Sequence, residues 1–308
     1  MIELLDWLIP TLASAYVVYT LTAIGSTVIE RSGILNLAID GLFVLSSSLA
    51  YAYAIYLSIL LQPGVLATAL SLLLTAVTTA LLYSIYTALN TVLPVSQGAV
   101  GLSFMFIGYG LGAVVGNLGR VLFSLFRVRI EYISVTQNSV VFTYLLMVLA
   151  AVLVYLVLYK LKLGVLIRAV GEDPRLVSQI GINVAYVRFL SGLLGGVLIG
   201  IGGALFTLWR VGGWSQGQGL SHGWLAYAVS IAGWRYPPVI ALVSVFFSLA
   251  YVLLPYLQSV GLPIEISIAT PYVVSIVAMV FVSITHRRSV ALLDPKSLGK
   301  TFFREEQA

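Results

Sequence analysis

Apolar residues fill this chain in runs of about 20, the length a helix needs to cross the hydrocarbon of a bilayer. Helices are the expected form, because each backbone N–H and C=O must find a partner without water. Such runs occupy residues 8–29, 40–61, 65–89, 97–117, 139–159, 189–209, 237–256 and 266–285. Polar or breaking clusters separate them: Glu30-Arg31-Ser32-Gly33, Gln62-Pro63-Gly64, the stretch 90–97 around Pro94, and a loop over 120–138 with Arg120, Arg127, Arg129 and Glu131. No charged residue occurs between Gly41 and Gly119.

Glycines recur within two of the runs. Gly98, Gly101, Gly108, Gly110, Gly112 and Gly116 mark one, and Gly192, Gly195, Gly196, Gly200, Gly202 and Gly203 the other. Small residues four apart let helix backbones approach closely. Residues 212–223 hold five glycines, and the apolar piece that follows, 224–234, is too short to span alone. Segment 212–234 is expected to cross partly as irregular backbone, tolerated only where protein buries it or water reaches it. About nine crossings result, within a range of eight to ten.

Composition agrees with this pattern. Of 308 residues, 60% are hydrophobic and 9% charged, against about 25% charged in soluble domains. Absence of cysteine excludes disulfides and thiol chemistry. His222 and His286 are the two histidines, too few for a histidine-built metal centre. The acidic N-terminus does not read as a signal peptide. Basic residues concentrate in the polar loop 160–188, which carries Lys160, Lys162, Arg168, Arg175 and Arg188, and in the tail 286–308. Placing both in the cytoplasm puts twelve of the sixteen Lys and Arg inside and the N-terminus outside, as the positive-inside rule asks. The expected fold is therefore all-α: one polytopic membrane domain over 1–308, with broken helices and inverted repeats.

Candidate chemistry is sparse. No Walker A pattern is present, and Ser221 beside His222 lacks an orienting acid; His222 reads as a polar tip at the outer interface. Ion coupling normally places titratable groups inside helices, and only Asp40 and Glu265 come close. Two segments read as helix breaks of opposite direction, 30–41 and 217–224, a signature of inverted repeats around a pathway. Asn36, Asp40, Gly41, Gly219, Ser221 and His222 are the expected pathway residues. In the central loop, Asp173 then Pro174 reads as N-cap and first helical residue, and Gly181 as the glycine that ends the helix. Leu176, Val177 and Ile180 share a face by helical spacing. So short a helix needs a surface to dock on, either a partner or the protein's own underside.

The segment Glu30-Arg-Ser-Gly-Ile-Leu-Asn-Leu-Ala-Ile-Asp-Gly41 resembles one found in permease subunits of ABC importers for simple sugars and nucleosides, relatives of the branched-chain amino acid permeases. Arg168-Ala-Val-Gly-Glu-Asp-Pro-Arg175, with Gly181-Ile-Asn-Val184, resembles the cytoplasmic loop of the same subunits, and the likeness covers most of the chain. Asp40 stands where that family usually has Glu, Ala38 where it has Gly, and Asp173 where it has Asn. The resemblance implies a non-enzymatic transport subunit in the cell membrane. ATP and Mg would be bound by a separate ATPase, so this chain itself takes no cofactor. An extracytoplasmic binding protein would deliver the solute, and a second permease subunit, identical or different, would complete the pathway; nucleic acid has no place in this scheme. Asp173 to Ile180 would be the coupling helix, with Arg168, Gly171, Glu172, Asp173, Pro174, Arg175, Leu176, Ile180 and Gly181 forming the ATPase contact. A branched-chain amino acid permease, or an ion-coupled transporter or channel of another class, are the alternatives.

Overall fold

The computed structural model describes residues 2–93, 95–133, 137–261 and 294–302, with scattered positions from 263 to 284. The helices, in order, are α1 (Ile2–Glu30), α2 (Ile39–Leu61), α3 (Val65–Val92), α4 (Gln97–Phe126), α5 (Gln137–Lys160), α6 (Lys162–Glu172), α7 (Pro174–Gln179), α8 (Val184–Leu205), α9 (His222–Ala232), α10 (Pro237–Val252) and α11 (Leu254–Ser259). A π-helical turn, Phe206–Val211, prolongs α8. Among the described residues, seven helical stretches are long and apolar enough to cross a membrane. Most of the expected crossing at 266–285, with Glu265 and His286 beside it, lies outside the described residues. Where the sequence suggests a loop from residue 120, α4 instead continues to Phe126, and Arg127 ends it in the left-handed conformation. Arg120 stays compatible with the helix by bonding Asn117 one turn back, at 2.9 Å.

The central helix is α1, with 94% of its most apolar window buried, against 22% for those of α4 and α5. Outward faces of α4 and α5 carry exposed Leu102, Phe106, Leu145 and Leu149, as suits hydrocarbon or another apolar surface. α8 runs antiparallel to α1: Ser191 Oγ donates to Ser32 Oγ at 2.9 Å, and near mid-helix a Cβ on Gly25 would stand 2.6 Å from the Gly195 carbonyl oxygen. On the other side of α8, Gly192, Gly196 and Gly200 lie against Tyr83, Ala80 and Ala76 of α3. The four-residue glycine spacing read from the sequence is thus a helix-packing device.

Two breaks interrupt this bundle from opposite ends. After α1, residues 31–38 turn back past Arg188 near the start of α8, whose Nε donates to the Ser32 carbonyl at 3.0 Å; α2 begins beyond them. After the far end of α8, residues 212–221 turn back inward and α9 starts within the bundle. α9 then runs alongside α1, with Tyr19 at His222, Thr27 at Ser230 (2.8 Å between hydroxyls) and Glu30 at Arg235. The segment 212–234 therefore traverses the bundle as irregular chain followed by a short helix.

Candidate functional site

The two breaks meet at Asp40, in the first turn of α2 and 1% exposed. Its Oδ1 accepts from the backbone N–H of Gly223 (2.7 Å) and Trp224 (3.3 Å). Its Oδ2 accepts from Ser221 N–H at 2.9 Å and from the Tyr109 hydroxyl of α4. The first N–H groups of any helix lack internal partners. The Ser221 side chain does not cap α9; a carboxylate from α2 does so instead, and its charge suits the positive end of the helix dipole. Gly223 is required at this junction, because a Cβ there would overlap the backbone of Asp40. Gly41 has the same role on the other flank, touching the backbone of Met105 and Gly108 in α4.

Gly219, with φ of 87°, packs near Ser47, Phe43 and Phe206. His222 is not an interfacial tip. It lies among Tyr19, Phe43, Phe206 and Tyr251, with the Tyr19 hydroxyl 2.7 Å from Nδ1 and the Phe206 ring centroid 4.4 Å away. The inward return of 212–221 places it there, whereas its neighbours in sequence suggest an end of the bundle. Asp40, Gly41, Gly219, Ser221 and His222 therefore gather around the two breaks. Asn36 lies in the first break itself, buried against α1, where its Nδ2 donates to Ser26 Oγ at 3.1 Å.

At the end of the bundle where α1 finishes, α6 and α7 form the central loop. Asp173 Oδ1 accepts from Arg175 N–H and Leu176 N–H, each at 3.0 Å, and Pro174 opens α7. Gly181 follows with φ of 86°. Leu176 and Ile180 are 57% and 66% exposed, while Val177 is 2% exposed. The expected common face thus divides: residues 176 and 180 share a row four apart, and 177 lies about 100° round the helix, pointing into the domain. Val177 packs with Leu158, Ile167, Val170, Val184 and Val187. Glu172, Asp173, Arg175 and Gly181 are exposed, but Arg168 and Gly171 turn inward. Arg168 Nε donates to the Leu158 carbonyl at 3.0 Å, and its guanidinium covers the Tyr159 ring at 4.6 Å. Gly171 is buried against the Arg31 carbonyl. Glycine at 171 and arginine at 168 therefore brace the loop from within.

Several residues around both sites carry no signal in the sequence. Tyr109 is one aromatic on a glycine-rich helix. Arg235 is part of a buried ion cluster: its Nε stands 2.7 Å from Glu30 Oε2, and its Nη1 meets Asp294. Burial disfavours the Arg235 cation, but Glu30, Asp294 and Tyr227 together outweigh that effect and raise the guanidinium's pKa above its ordinary value. Arg31 donates to the carbonyls of Trp234 and Arg235, which fastens the end of α9 to the end of α1. The tail packs on the same end of the bundle. Within residues 294–302, Pro295, Ser297 and Phe302 are buried against this end of the bundle, where the Gly171 carbonyl of α6 and the side chains of Gln97 and Arg235 offer partners.

Broken helices that meet inside an apolar bundle, with one capped helix presented at its end, define a polytopic membrane transport protein. Comparison with known proteins gives the family. Residues 8–283 match the branched-chain amino acid transport system / permease component family, and the chain belongs to it. Relatives include the nucleoside ABC transporter permease protein NupC of Lactococcus lactis subsp. cremoris, 31% identical over 75% of this chain and 78% of its own. The guanosine ABC transporter permease protein NupQ of Bacillus subtilis is 23% identical over 81% of this chain and 82% of its own. A putative glucose ABC transporter permease, TsgC13 of Haloferax volcanii, is 28% identical over 72% and 69% respectively. No solved structure matches the chain.

Proposed function

We propose that this chain is the membrane-spanning permease subunit of an ABC importer that moves a nucleoside or a simple sugar, driven by a separate ATPase. The observation that carries the reading is α7. Asp173 caps it, Val177 anchors it to the domain, and Leu176 and Ile180 are left exposed on a rigid ledge. A knob of this kind suits a groove in a partner protein. With Glu172, Asp173, Pro174, Arg175 and Gly181 it forms the ATPase contact, while ATP and Mg belong to that partner. The loop and the tail are cytoplasmic and the N-terminus outside; a binding protein delivers the solute on that outer side, and a second permease subunit completes the pathway.

The pathway runs beside the Asp40 junction, where α2, α9 and the irregular chain of both breaks converge. Each Asp40 oxygen already accepts two hydrogen bonds, which supports a capping role and speaks against Asp40 as a carrier of coupled ions. A branched-chain amino acid is the second substrate class, favoured by the description of the family itself. Purification of the complex from cells expressing this chain with its ATPase, second permease subunit and binding protein, followed by reconstitution, tests the proposal. The expected result is ATP-dependent uptake of labelled guanosine, uridine or glucose, with leucine as the competing probe. Uptake that an ion gradient drives in the isolated chain would overturn it.

A further inference from the structure

Residues 294–302 lie where three separate parts of the molecule meet. Ser297 N–H and Oγ both donate to the Gly171 carbonyl at the end of α6, at 2.9 and 2.6 Å. Ser297 also fills the space over Gly33, whose φ is 84° and where any Cβ would land on the Ser297 hydroxyl. Gln97, at the start of α4, holds the same point from the other side. Its Nε2 donates to the Gly33 carbonyl (3.1 Å) and the Lys300 carbonyl (2.8 Å), and its Oε1 accepts from Leu35 N–H at 2.8 Å. Asp294 pairs with Arg235, which is held in turn by Glu30. Phe302 closes the strap by packing in the cluster that also contains Val177 and Ile167, with the Arg188 guanidinium 5.9 Å from its ring centroid.

These contacts form a continuous path. Val177 is the inward side of α7, the helix that faces the ATPase. Phe302 shares its core, and Ser297 ties that core to Gly171 and Gly33. From Gly33 the break runs directly to α2, whose first turn holds Asp40. We propose that residues 294–302 are a transmission strap: Ser297 and Phe302 are positioning residues that carry displacement of α6 and α7 into the 31–38 break and so to the pathway. This rests on the permease reading. Such coupling needs an element that both sites bias, and the proposal assigns that role to the 31–38 break, which lies between the strap and the Asp40 turn of α2.

The test uses the reconstituted complex with its ATPase. Ser297→Ala removes the Oγ hydrogen bond, Phe302→Ala empties the shared core, and Phe302→Leu is the conservative rescue. In Ser297→Ala and Phe302→Ala, the ATPase is expected to co-purify and hydrolyse ATP, while solute moved per ATP falls about tenfold, within the usual range of coupling free energies. Phe302→Leu restores most of it. Transport per ATP unchanged in both variants overturns the strap. The chain contains no cysteine, so Ser297→Cys adds a readout independent of solute. Slow thiol labelling is expected both without nucleotide and in the vanadate-trapped complex; rapid labelling in either state overturns the proposal. Failure of the wild-type chain to bind an ATPase would defeat the permease reading instead, and the labelling result would still decide whether the strap stays docked.

Discussion

Four hydrogens converge on the Asp40 carboxylate, three from the start of α9 and one from Tyr109. Asp40→Ala leaves the buried Gly223 N–H without an acceptor, at about 1–3 kcal/mol, and removes the acceptor of the part-buried Ser221 and Trp224 N–H groups. The expected outcome is a lower unfolding midpoint in detergent and loss of uptake. Asp40→Asn should lie between, since one acceptor oxygen remains while the amide N–H₂ faces donors. Equal stability and uptake across all three proteins would remove Asp40 from the pathway. Asp40 is legible in the sequence, as an acid beside a glycine within a break. Its donors are not, because they arrive from a loop more than 180 residues away in sequence. Tyr109 and Arg235 are missed for the same reason: a hydroxyl or a guanidinium signals its partner only once the chain is folded.

The short helix α7 shows how far local rules reach. Asp173, Pro174 and Gly181 mark both its ends correctly, because capping is decided by neighbours in sequence. Its facing is decided by tertiary docking, so the sequence groups Val177 with Leu176 and Ile180 and the structure separates them. The separation yields a comparison. Leu176→Asp and Ile180→Asp should each weaken ATPase co-purification with little change in thermal stability, because both sites are exposed. Val177→Asp buries a charge and should destabilise the chain itself. Asp173→Ala removes a cap of about 1 kcal/mol and should lower uptake without unfolding the bundle. Thermal unfolding and pull-down with the ATPase, measured on all four, separate the two faces; equal behaviour of Leu176→Asp and Val177→Asp would contradict this division. The glycine stripe of α8 is legible in the same local way, whereas its partner, α3, is not.

Across the whole molecule, hydropathy and charge specify most crossings, and they anticipate that 212–234 passes through as broken chain. They say nothing of how the tail packs, whose backbone meets Gly171 and Gln97. Sidedness is open to direct measurement because no native thiol interferes. Exposed Gln179, the last residue of α7, and Gln216, in the second break, are suitable sites. Gln179→Cys should react with an impermeant thiol reagent only from the cytoplasmic face and Gln216→Cys only from the outer face, as the distribution of basic residues asks. Labelling of both from one face would reject the topology.

The central position of α1 has a consequence for biosynthesis. It is made first, yet α8, α9 and α10, which bury it, follow much later, and Glu30 meets Arg235 only after some 200 further residues. At cellular elongation rates that delay is roughly 10–40 s. Throughout it, a helix rich in buried Ser and Thr, and ending in an acid, lacks its final neighbours. The nascent chain therefore depends on the insertion machinery, and once it is made on α5, which packs on α1, to shelter α1 until the second half of the molecule emerges. The interval before α8 to α10 appear is where α1 is most exposed to quality control.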